Sequence, residues 1–101
     1  MFIKKNRLHE ISAKLRLHFE TLQKNYHVRR IGVFGSFAHG EQKAKSDIDV
    51  LISFSEPIGL FHFIHTGDYL KRILKRKVDM VTPGALKPEI KRTVLREVRY
   101  I

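Results

Sequence analysis

The residues of this sequence best suited to chemistry are three aspartates and a Gly-Ser pair. Asp47 and Asp49 open the most apolar run of the chain, DIDVLISF, and Asp79 lies inside a second short run, KVDMVT. In a β-strand, residues i and i+2 point to one face, so Asp47 and Asp49 stand side by side. Like charges held together and partly removed from water are costly unless cations complete them. If the strands bearing Asp49 and Asp79 are neighbours, all three carboxylates converge. Two remedies are open: basic side chains such as Lys43 and Lys45, or divalent metal ions bound between the carboxylates. Hard oxygen ligands suit Mg2+, which takes one or two carboxylates together with substrate phosphates and retained water. Upstream, an apolar strand runs into Gly35-Ser36. Glycine lets the backbone approach a ligand closely. The amides that follow, with the serine hydroxyl, suit phosphate oxygens at a helix N-terminus. A phosphate cradle and a carboxylate cluster are the two halves of a metal-dependent phosphoryl- or nucleotidyl-transfer site.

The elements that must position these groups follow from hydrophobic spacing. Leu8, Ile11, Leu15, Phe19, Leu22 and Tyr26 recur every three or four residues, which predicts an amphipathic helix over about 6–25. Ile31, Val33 and Phe34 form a buried strand that stops at Gly35, and residues 36–40 are short enough for one or two helical turns. EQKAKS reads as a polar loop, and DIDVLISF as a β-branched strand. A second amphipathic helix uses Leu60, Phe63, Ile64, Leu70, Ile73 and Leu74. KVDMVT is a third strand. Pro83-Gly84 turns the chain, and Pro88 suits the first turn of a last helix ending near Arg96. Helices alternating with short strands predict an α/β (α+β) architecture, with a small mixed sheet of about three strands packed against about four helices.

Composition narrows the class. At 101 residues with 43% hydrophobic content, the chain is expected to form one small domain with one core. There is no cysteine, which excludes disulfides, thiolate zinc sites and a cysteine nucleophile. That fits a reducing compartment. The N-terminal MFIKKNRLHE has no apolar signal core, and no run approaches the ~20 apolar residues of a membrane span. A cytoplasmic protein without membrane partners is the expectation. Twenty basic residues against ten acidic give a formal charge of +10, which implies an anionic partner: nucleotide phosphates, nucleic acid or an acidic protein face. Basic clusters at 69–77 and 87–99 suit guidance of such a partner and equally suit a solvated surface.

Other candidates are weaker. Ser36 suits an N-cap as well as phosphate binding, and the two roles share one geometry. No His-Asp arrangement supports a nucleophilic serine. His62 and His65 share a helix face, but no further ligand stands at metal-binding spacing, so packing or surface roles are the reading.

The run GSFAHGEQKAKSDIDVLISF, with Gly35-Ser36, then residues 37–46, then Asp47-Ile48-Asp49, resembles the core motif of the DNA polymerase β-like nucleotidyltransferases. The closer resemblance is to their minimal nucleotidyltransferases, and KVDMVTPGALKPEIKRTVLREVRYI looks like the C-terminal half of that domain. On this resemblance residues 1–101 form a single minimal nucleotidyltransferase domain. It implies that Gly35 and Ser36 bind the β- and γ-phosphates of a nucleoside triphosphate. Asp47 and Asp49 would hold two Mg2+ ions, and Asp79 would complete the shell of the catalytic ion and help deprotonate the acceptor. His39 departs from the pattern, because relatives often carry arginine there, and reads as an exposed loop residue.

The resemblance also implies a partner. Many minimal nucleotidyltransferases resemble antitoxins paired with a small helical HEPN-type toxin, with AMP moving from ATP to a tyrosine hydroxyl of the toxin. Larger relatives carry an added acceptor-binding domain, a wall that a partner would supply here. The competing class is a catalytically silent binding module that neutralises its partner by complex formation. Nucleic-acid binding or tailing ranks last, since no RNA-binding motif or interleaved aromatic platform appears.

Overall fold

The stripe from Leu8 to Tyr26 folds as two helices, α1 (Arg7–Leu17) and α2 (Phe19–Tyr26), where the spacing predicts one. The structure, a computed structural model, describes residues 7–35, 38 and 47–101. His18 breaks the helix at φ −100° and ψ 8°. Helical hydrogen bonds continue across it, from His18 N to Lys14 O and from Leu22 N to His18 O. The apolar face therefore stays in phase, and Ile11, Leu15 and Leu22 are all buried.

Strand β1 (Val28–Phe34) follows, starting earlier than Ile31, and then β2 (Ile48–Phe54). Helix α3 (Leu60–Leu74) occupies its predicted place, and β3 (Val78–Val81) is trimmed by one residue at each end from KVDMVT. A 3-10 turn (Pro83–Ala85) leads to α4 (Pro88–Glu97), whose first position is the expected proline. A two-residue strand, β4 (Arg99–Tyr100), raises the strand count among the described residues to four. The helical turn predicted over 36–40 and the polar loop over 41–46 fall outside the described residues, Ala38 excepted.

The sheet has the order β3-β2-β1-β4; β3 is parallel to β2, and the other pairs are antiparallel. On one face Ile31, Val33, Ile48, Val50 and Ile52 pack with Ile11, Leu15, Leu22, Leu70 and Leu74, so α1, α2 and α3 cover that face. Truncating any of these leucines to alanine is expected to cost ~2–5 kcal/mol. The second face carries Gly32, Asp49 and Leu51. Leu51 is buried there, and the 3-10 turn packs against β2. A strand buried on both faces reads as a continuous apolar run, which is why Val50-Leu51-Ile52 lacks alternation. The N-terminal end of α3 behaves differently from its spacing: Leu60 and Ile64 are exposed, at 69% and 45%. No helix among the described residues is long and apolar enough to cross a membrane.

Candidate active site

Strand register brings the aspartates together. Asp49 of β2 faces Asp79 of the parallel strand β3, and Phe34 of the antiparallel strand β1. Facing residues on neighbouring strands project from the same side, about 4.8 Å apart. Asp47 precedes β2 by one residue and is two positions from Asp49, at the mouth of the same face. The pairing extends to this end of the strand, because Ile48 N donates to Lys77 O at 2.9 Å.

Electrostatics single out Asp49. It is half-buried while Asp47 and Asp79 are exposed. Burial pushes its carboxyl above the usual carboxylate range, and the charges of Asp79 and Asp47 push it further the same way. Of the two remedies for such a cluster, direct neutralisation is not in use among the described residues: no lysine or arginine there forms an ion pair with Asp47, Asp49 or Asp79. Lys43 and Lys45 lie outside the described residues. As placed, the three carboxylates do not make up a preformed metal-holding group, and no other group of three His, Asp or Glu side chains among the described residues does so. The donor set still fits Mg2+, whose ordinary complement is one or two carboxylates completed by phosphate oxygens and water.

Gly35 closes the site from β1. It sits at φ +75°, in the left-handed region that favours glycine. A Cβ there would run into the Asp49 carboxylate and lie 3.2 Å from its Cγ. Gly35 O accepts a bond from Ala38 N at 3.0 Å. Ser36 and His39 lie outside the described residues.

The histidines of α3 take packing and surface roles. His62 Nε2 donates to Tyr26 O at 2.7 Å and its ring stacks on His27, while His65 is exposed. The feature that spacing missed is the apolar surface of Leu60, Phe61 and Ile64 on α3. The run LFHFI carries more apolar residues than one helix face can bury, and that was the available signal.

Residues 14–101 match the nucleotidyltransferase domain. The chain therefore belongs to the nucleotidyltransferase family of enzymes. Protein adenylyltransferase MntA of Thermococcus cleftensis is 45% identical over 94 residues, covering 93% of this chain and 95% of its own length. A solved structure described as a candidate minimal nucleotidyltransferase superposes with a TM-score of 0.78 at 32% identity, over 91% of this chain and 93% of that one. A chain from the complex of a tri-AMPylated Shewanella oneidensis HEPN toxin with its MNT antitoxin gives 0.63 at 16% identity, over 89% of this chain and 70% of that one. At that identity the likeness is one of fold.

Proposed function

We propose that this protein is a Mg2+-dependent adenylyltransferase that moves AMP from ATP to a hydroxyl group, the acceptor being a tyrosine of a HEPN-type protein partner. The observation that carries the reading is the Asp49–Asp79 register, with Asp47 and Gly35 at the same end of the sheet. The adenylyltransferase name of the Thermococcus relative supports the nucleotide, and the AMPylated toxin complex supports the kind of partner.

Each residue has a distinct task. Asp47 and Asp49 would hold the metal ions. Bound there, the ions would supply charge stabilisation to the triphosphate and would lower the pKa of the acceptor hydroxyl. Gly35, with Ser36, offers close backbone approach and amide donors to the β- and γ-phosphates. Asp79 stands beside Asp49 and assists removal of the acceptor proton. The acceptor oxygen forms a bond to the α-phosphorus as the bond to the bridging oxygen breaks, and pyrophosphate leaves. Asp79 is exposed, which supports access of an acceptor from solvent.

The test is to incubate the protein with ATP, Mg2+ and a HEPN-domain protein, and to weigh the products. An AMP-sized gain on the partner, lost in Asp47→Asn and Asp49→Asn, is the expected result. A complex that forms without any gain, and survives chelation and both substitutions, would favour the silent binding module instead.

A further inference from the structure

We propose that the acceptor binds as an added β-strand on the outer edge of β3, with its hydroxyl residue facing Asp79 and its flanking residues seated in the groove beside α3. This rests on the hydroxyl-acceptor reading and specifies how that acceptor is held.

β3 ends the strand order, and no described strand pairs with its outer side. Successive residues of a strand direct their amide and carbonyl groups to opposite edges. Lys77 O is bonded inward to Ile48 N, so Asp79 and Val81 also face β2. The backbone groups of Val78 and Met80 then face outward, as donors and acceptors for an incoming strand.

The two faces of this edge differ in chemistry. On the helix-covered side Val78 and Met80 line a cavity of about 180 Å³ with Phe63, Ile64, Gly67, Asp68 and Lys71. Exposed Leu60 and Phe61 belong to the first turn of the same helix. On the opposite side projects Asp79. A strand added at the usual spacing of ~4.8 Å places the residue that faces Asp79 on the active-site side, and its two neighbours over the groove. The occupant is thus an extended segment with a hydroxyl residue between two apolar ones. Within the groove Lys71 is paired with Asp68 at 4.0 Å, so the charge preference comes from exposed Lys75 and Lys77 at its end, which favour acidic residues outside that triplet.

The probe is a pair of capped heptapeptides of equal composition, Glu-Glu-Leu-Tyr-Leu-Glu-Glu and Glu-Leu-Glu-Tyr-Glu-Leu-Glu, added to the 15N-labelled full chain with ATP and Mg2+. The first puts leucines opposite to the tyrosine face; the second puts them on it. Expected are slowed exchange at the Val78 and Met80 amides with the first peptide only, at least tenfold faster AMP transfer to it, and about tenfold weaker binding to Ile64→Asp, a groove-wall variant. Equal transfer to both peptides, with exchange at Val78 and Met80 unchanged, overturns strand addition and leaves the transferase reading standing. Slowed exchange without transfer supports strand addition and removes the hydroxyl-acceptor reading. No binding of either peptide at millimolar concentration overturns the inference.

Discussion

The Cα of Gly35 packs against the carboxylate of Asp49, and the space between them is too small for a methyl group. The same glycine has a φ of +75°. Replacing it by alanine meets two penalties, ~1–2 kcal/mol for a side chain in the left-handed region and the displacement of Asp49. Gly35→Ala is expected to lower Tm and to reduce AMP transfer by ~100-fold or more, since misplacing a catalytic group by ~1 Å has effects of that size. Lowered Tm with full turnover would show that Asp49 is not positioned through Gly35.

Asp49 makes the apo protein less stable at neutral pH. Its carboxyl titrates above the ordinary range because of burial first, then Asp79 and Asp47. The folded state holds that proton more tightly than the unfolded chain, so the associated stability is present in acid and lost as pH rises through the folded value. Asp49→Asn cannot ionise. In the absence of Mg2+ its Tm is expected to exceed that of the parent at pH 7, with the gain vanishing below about pH 4, where both forms are protonated. Transfer activity should be lost. A gain of equal size at pH 3 and pH 7 would assign the effect to packing instead of charge.

Mg2+ together with a non-hydrolysable ATP analogue relieves the same repulsion from the opposite direction. At ligand concentrations ~100-fold above Kd, linkage predicts about 2.7 kcal/mol of added stability. Thermal melts should show a clear rise with both ligands and a smaller one with either alone. The combined Asp47→Asn and Asp49→Asn variant should lose the metal-dependent part. A parent protein whose Tm ignores both ligands together would count heavily against the metal reading.

What the sequence disclosed and what it hid have separate physical causes. The convergence of the carboxylates was legible because strand period and apolar runs put Asp47 and Asp49 at the start of one strand and Asp79 within another, and β2–β3 adjacency then did the rest. The kink at His18 was hidden because Leu15, Phe19 and Leu22 keep the helical period across it. β4 was hidden because two residues, Arg99 and Tyr100, cannot show alternation; their pairing is decided by β1 instead. The exposure of Leu60 and Ile64 was hidden because periodicity reports an apolar face without saying whether the domain covers it.

The attachment of β4 supplies the last prediction. Gly32 faces Tyr100 across the β1–β4 pair, and Val98 closes over the same spot. A Cβ on Gly32 would lie 2.8 Å from Val98 Cγ2, 2.9 Å from Arg99 O and 3.0 Å from Tyr100 Cδ1. The Arg99 carbonyl is backbone and cannot rotate away, so β4 as a whole must shift. That shift loosens the Arg30 guanidinium from the Tyr100 ring, now 3.8 Å from its centroid, and the bond from Ile101 N to Ile31 O. Gly32→Ala is expected to cost ~1–3 kcal/mol, the usual range for overpacking. The Ile101 amide should exchange faster, while Asp49, on the β2 side of β1, keeps its register with Asp79. Transfer activity measured well below Tm should therefore remain near that of the parent. An unchanged Tm with a still-protected Ile101 amide would show that β4 adjusts without loss and that close packing does not require glycine at position 32.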